Sequence, residues 1–174
     1  MAQEIEHKFL VTSNRFHGLG TPTEYCQGYI PTRNGMTVRI RIAGTQGYVT
    51  FKDRTVGFTR HEFEYPIPVA DARQMLDLLC EKPLVSKTRH VIPAPPGHRP
   101  DGTPVEGLHW EVDVFHGDNE GLILAEIELP GEDVLFDIPE WVGPDVSFDR
   151  RYRNNALAQH PYKDWTDEEK RPTD

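Results

Sequence analysis

Alternation of period two recurs along most of this chain and limits what it can fold into more than any other feature. In the opening segment Glu4, Glu6 and Lys8 fall at every second position, with Ile5, His7, Phe9 and Val11 between them. Successive side chains of a β-strand point to opposite faces, so such a segment carries charge on one face and a mostly apolar set on the other. Eight runs of this kind lie near residues 3–11, 24–31, 36–42, 47–53, 60–67, 84–92, 108–116 and 122–129, separated by turn signals such as TRNG and AGTQG. Between the fifth and sixth runs sits PVADARQMLDLLCEK. There Ala72, Met75, Leu76 and Leu79 keep helical spacing, and Asp71 with Gln74 resembles a capping box. Weaker helical signals fall near 131–138 and 153–160, and IPAPPGHRPDGTPVEG reads as an extended loop.

Following one face of each run shows what the alternation carries. Thr37, Arg39 and Arg41 oppose Val38, Ile40 and Ile42; Thr50 and Lys52 oppose Val49 and Phe51; Glu62 and Glu64 oppose Phe63, Tyr65 and Ile67. Lys87 and Arg89 mark the sixth run, Glu111 and Asp113 the seventh, Glu126 and Glu128 the eighth, while the second is milder, with Tyr25, Gln27 and Tyr29. A solvated sheet face is the commonest cause of alternation. It does not account for charges that are almost all Glu, Asp, Arg or Lys, nor for like charges two residues apart, which repel. Eight antiparallel strands can close into a barrel with alternate residues facing inward. The expectation is therefore a mainly β (α+β) fold, an eight-stranded antiparallel β-barrel tunnel with a charged interior and helices packed outside.

At 174 residues the chain is sized for one domain, with no fixed-period repeat. Residues 1–160 read as that domain and 161–174 as a charged, loosely ordered tail. The net charge of −9 argues against a nucleic-acid-wrapping surface, so any polyanion must meet a local basic site. No apolar leader or membrane span is visible, which points to a cytoplasmic protein. Cys26 and Cys80 suggest free thiols rather than a disulfide framework. The eight His lack metal-ligand spacing, and Trp141 reads as packing a loop onto the barrel.

EIEHKFLV resembles the ExExK signature of the CYTH superfamily, also called triphosphate tunnel metalloenzymes. The likeness continues in order through VRIR, TFK, HEFEY, KTR, WEVDVF, LAEIEL and FDRRYRNNALA, covering residues 4 to about 158. Small bacterial members beginning EIERKFLV are most similar, and they resemble inorganic triphosphatases; here His7 takes the place of the usual Arg, on the outer face. The resemblance implies a β-barrel tunnel that hydrolyses triphosphate groups or, in one branch, cyclises ATP, using divalent metal ions. It implies that Glu4, Glu6, Asp113, Glu126 and Glu128 hold one or two Mg²⁺ or Mn²⁺ ions, hard cations suited to carboxylates. It implies that Lys8, Arg39, Arg41, Lys52, Arg89 and one or both of Arg150 and Arg151 clamp phosphates. Lys8, Lys87 and Tyr29 are the candidate catalytic groups: Lys87 positions water or binds a phosphate, and Tyr29 either assists proton transfer or is a core tyrosine. Glu62, Glu64 and Glu111 are expected to orient the arginines. The favoured substrate is inorganic triphosphate. The alternatives are a class IV type adenylate cyclase, a thiamine or nucleoside triphosphatase, and a noncatalytic polyphosphate or nucleotide binder. The expected partner is a small-molecule triphosphate, with no nucleic acid or membrane, for a monomer or homodimer.

Overall fold

The structure, a computed structural model, describes residues 5–54 and 61–172. Each of the eight alternating runs forms a strand: β1 (Ile5–Leu10), β2 (Thr21–Ile30), β3 (Thr37–Ala43), β4 (Gln46–Lys52), β5 (Glu62–Ile67), β6 (Val85–Pro93), β9 (His109–Phe115) and β10 (Ile123–Leu129). The expected loop before β9 instead contains a two-residue-a-side hairpin, β7 (Gly97–His98) with β8 (Pro104–Val105). The eight long strands make one antiparallel sheet in the order β1-β10-β9-β6-β2-β3-β4-β5. Glu6 on one edge strand and Glu62 on the other line the same cavity, so the sheet curls round until its two edges face one lumen.

Helix α1 (Val69–Leu78) lies against the outer face of β3 and β4, burying Ala72 and Leu76, with Cys80 just past its end, on Ile40 and Ile42. The helix sits close. A Cβ on Gly47 would meet the Ala72 Cβ at 3.0 Å and the Ile67 carbonyl oxygen at 2.9 Å, so that position tolerates only glycine without displacement. The capping box is not made: Pro68 is the N-cap, Asp71 falls inside the first turn, and no side chain caps the end. Proline needs no N–H partner there and its fixed φ suits helix entry, so the helix begins earlier than the Asp71–Gln74 pair indicates.

On another part of the outer face Phe9, Trp110, Val112, Ile127 and Leu129 form a core with Phe16 and Trp141. Trp141 packs edge-on against Trp110, centroids 5.7 Å apart, as expected of a loop anchor. His7 is outward, 5.5 Å from the Phe136 ring. Residues 131–138 form no helix; Leu135 instead bridges to His98 beside the small hairpin.

Inside, the inward positions turn apolar toward one end. Val85, Phe115 and Leu124 meet Tyr152, Leu157 and Trp165, so helix α2 (Asn154–Gln159) and the turns around it stopper that end of the lumen. Within the tail Trp165 is anchored: it is buried, packs 5.1 Å from Tyr152 and donates its indole N–H to the His160 carbonyl at 3.0 Å. The tail's charged residues face outward, while Trp165 supplies the apolar anchor that a count of charges overlooks.

Candidate active site

The lumen holds a cavity of about 480 Å³ whose walls come from all eight long strands and the start of α2. Its basic and acidic sides follow from strand register. Arg39, Thr50 and Glu64 are cross-strand neighbours on β3, β4 and β5, and Arg39 Nη2 donates to Thr50 Oγ1 at 3.2 Å and Glu64 Oε2 at 3.3 Å. One row along, Lys52 faces Glu62 at 3.4 Å. Arg41 sits opposite Gln27, donates Nε to its Oε1 at 3.1 Å, and lies 5.2 Å over the Tyr25 ring. Gln27 in turn donates to the Tyr29 hydroxyl at 3.0 Å. Across the lumen Lys8 opposes Glu126, with Nζ 3.2 Å from Oε1 and 4.0 Å from Glu6. Glu6 opposes Glu128 in the same ladder.

Beneath the wall lies a buried ion cluster. Asp113 accepts from Arg89 Nε at 2.8 Å and Nη2 at 2.9 Å, and its Oδ2 is 2.8 Å from Lys87 Nζ. Arg89 Nη1 reaches Glu111 at 2.6 Å on the lumen side. Lys87 is completely buried, donates to Asn154 Oδ1 at 3.0 Å, and lies over the Phe115 ring.

The protonation equilibria follow these surroundings. Desolvation, then the adjacent Glu126, push Glu6 up to about 7, with Lys8 opposing; the side chain lines the lumen and is 53% accessible. Burial pulls Arg41 down to about 10, and the nearby Arg39 and Arg89 add to it. Burial alone would raise Asp113, yet Lys87 and Arg89 hold it well below the usual carboxylate range. Burial lowers Lys87 to about 8, against the pull of Asp113. Burial alone would lower Arg89 too, yet its bonds to Asp113 outweigh that and hold it above the ordinary guanidinium range. Burial raises Tyr29, so its hydroxyl stays protonated at neutral pH and is a donor rather than a base.

Most of the expected residues converge. Glu6, Glu126, Glu128, Lys8, Tyr29, Arg39, Arg41, Lys52, Arg89, Glu62 and Glu111 all line the cavity, and Glu64 holds Arg39. Glu4 lies outside the described residues. Asp113 and Lys87 do not reach the lumen: both are at most 1% exposed, and their polar atoms are engaged with one another, Arg89 and Asn154. Arg150 is not among the lining residues, and Arg151 points away, bound to Asp149 and the Glu169 carbonyl and stacked 5.3 Å from Trp165. The arginine that lines the cavity is Arg153, joined by Asn154 and Asn155, with Thr37 on the β3 wall. The sequence does not single out Arg153, Asn154 and Asn155, because 150–155 is no strand and period-two reasoning gives no facing for it.

A curled antiparallel sheet whose lumen combines a cluster of half-buried cations with facing carboxylates defines a tunnel for a compact polyanion. A family model of the CYTH domain matches residues 2–157. The chain is 42% identical over 165 residues to an inorganic triphosphatase of Acetivibrio thermocellus, covering 95% of this chain and 99% of that protein. It is 37% identical over 161 residues to an inorganic triphosphatase of Nitrosomonas europaea, covering 89% and 96%. A crystal structure of an inorganic triphosphatase superimposes with a TM-score of 0.63 at 35% identity, covering 91% of this chain and 95% of that one. The chain belongs to the CYTH domain family.

Proposed function

We propose that this protein hydrolyses inorganic triphosphate to pyrophosphate and phosphate with the help of a divalent cation. The observation that carries the reading is Arg41. Its guanidinium is half-buried beside Arg39 and Arg89, and its side-chain bond is to neutral Gln27 rather than to a carboxylate. A buried cation among cations is unfavourable until an anion arrives. The orphaned Arg39 Nε and the exposed Arg153 add donors to the same lumen. The names of the relatives supply the substrate; the lumen supplies the means to hold it.

Glu6, Glu126 and Glu128 offer hard oxygen donors; Glu6 is raised first by desolvation and then by Glu126, so two neighbouring carboxylates in this lumen are costly to keep charged, a cost that Mg²⁺ or Mn²⁺ would offset. Among the described residues no three carboxylate, imidazole or thiol groups form a preformed cage, so these three are the residues that would hold the ion together with the substrate. When bound, the ion neutralises phosphate oxygens and acidifies the attacking water. The protein's own residues do the rest: Lys8, Arg39, Arg41, Lys52 and Arg89 bind and align the phosphates, countering charge that develops on the leaving pyrophosphate. Tyr29 donates a hydrogen bond. Glu62, Glu64 and Glu111 orient Lys52, Arg39 and Arg89. We take the substrate to be a free small molecule in the cytoplasm, since a net charge of −9 repels nucleic acid and anionic membranes alike.

The test is a panel of inorganic triphosphate, ATP and thiamine triphosphate with Mg²⁺ or Mn²⁺, scoring phosphate, pyrophosphate and cyclic AMP. Inorganic triphosphate should give the highest kcat/KM. Cyclic AMP as the main product from ATP would overturn the reading in favour of a cyclase.

A further inference from the structure

We propose that Asn154, at the start of the α2 stopper, is a substrate-binding residue whose amide orientation is fixed by Lys87. The inference rests on the triphosphatase reading of the lumen and adds to it a contact from outside the strands. Asn154 Oδ1 lies 3.0 Å from Lys87 Nζ. An ammonium has donors only, so the atom facing it must be the amide oxygen, and the Nδ2 group is turned away.

Lys87 cannot swing to meet a ligand itself. It is fully buried, its ammonium is 2.8 Å from Asp113, and the Phe115 ring lies 5.6 Å beneath it. The Asn154 side chain, in contrast, lines the cavity, and Nδ2 has no hydrogen-bond partner among the described residues. Neighbouring Asn155 also lines the cavity, but its Oδ1 accepts only from the adjacent Ala156 backbone N–H at 3.0 Å, on the exposed side, whereas Asn154 is tied across the fold to the buried Lys87. The stopper thus begins with a pair of neutral amide N–H donors on a residue that lines the lumen, beside Arg153 on the same segment. A phosphate oxygen is the ligand such a pair suits. Hydrogen bonds to an ionised acceptor are the strong kind.

The experiment compares Asn154→Asp with Asn154→Ala. The aspartate keeps an acceptor for Lys87 but puts a second carboxylate oxygen where the donors were; alanine removes both functions. If Asn154 binds substrate, both variants melt within a few degrees of wild type or, for aspartate, higher, and kcat/KM for inorganic triphosphate falls roughly tenfold in alanine and roughly a hundredfold or more in aspartate. If Asn154 only ties α2 to Lys87, the order reverses: aspartate retains wild-type kinetics and alanine alone is impaired, and the proposal is wrong. The wild-type arm separately reports on the triphosphatase reading. Should wild type prove inactive, the rise in melting temperature caused by inorganic triphosphate with Mg²⁺ replaces turnover; the same order, with aspartate losing most, supports the contact, and equal shifts in wild type and aspartate refute it.

Discussion

Replacing Arg41 by methionine separates the demands of binding from those of folding. Burial beside Arg39 and Arg89 pulls its guanidinium down to about 10, which corresponds to ~3 kcal/mol weighing on the charged form in the empty protein. Methionine removes that load and roughly preserves the packing volume. Against the gain stand two losses. The Gln27 amide oxygen, on a fully buried side chain, is left without its donor, which costs about 1–3 kcal/mol. The stacking on Tyr25 goes too, about 0.5–1 kcal/mol. The opposing contributions nearly cancel, so Arg41→Met should change stability by less than about 1.5 kcal/mol, or under ~6 °C in Tm for a chain of this size. Catalysis has no such compensation. Losing a charge-assisted contact of about 1.5–3 kcal/mol should lower kcat/KM for inorganic triphosphate by roughly ten- to a hundredfold. Steady-state phosphate release and thermal unfolding in phosphate-free buffer, on the same preparations, decide it. A variant with wild-type kinetics that has lost more than about 3 kcal/mol of stability would show Arg41 to be a structural arginine.

Further outcomes follow from the same geometry. Arg153→Ala should raise KM for inorganic triphosphate several-fold at unchanged Tm, whereas Arg151→Ala, which breaks the Asp149 pair outside the lumen, should leave kinetics untouched. Asp113→Asn should destabilise by about 3–5 kcal/mol in urea unfolding, since it leaves Lys87 buried without a carboxylate and Arg89 with Glu111 alone. Glu6 is raised in the folded protein, so its protonated form is the one folding favours; metal-free stability should decline as pH rises from about 4.5 through about 7, and Glu6→Gln should flatten that decline in a pH series of melting curves. Asp113 is lowered, so the stability it contributes is present above its unfolded range near pH 4 and lost only below it.

The strands are legible in the sequence because a period of two sustained over a whole run suits little besides a β-strand, and the lumen residues are legible with them. Once Glu6, Arg39, Arg41, Lys52 and Glu126 share a face, curling the sheet brings them together. Depth along each strand is not legible in the same way. Lys87 and Asp113 lie on the correct face, yet their inward neighbours Val85 and Phe115 are apolar, a sign that these positions lie near the floor and not in the open lumen. Arg150, Arg151 and Arg153 are beyond the reach of any strand period, and only the path of the chain into α2 decides that Arg153 faces the cavity. The tail defeats a reading by composition for a related reason, because one well-placed Trp165 outweighs several solvated charges.

The central claim is that this lumen hydrolyses inorganic triphosphate and that carboxylates such as Glu6 and Glu126 need a divalent ion to admit it. Phosphate release from inorganic triphosphate, followed before and after excess EDTA and again after adding Mg²⁺ or Mn²⁺, tests it directly. The account predicts activity that disappears with the chelator and returns with the ion; undiminished turnover in excess EDTA would contradict it.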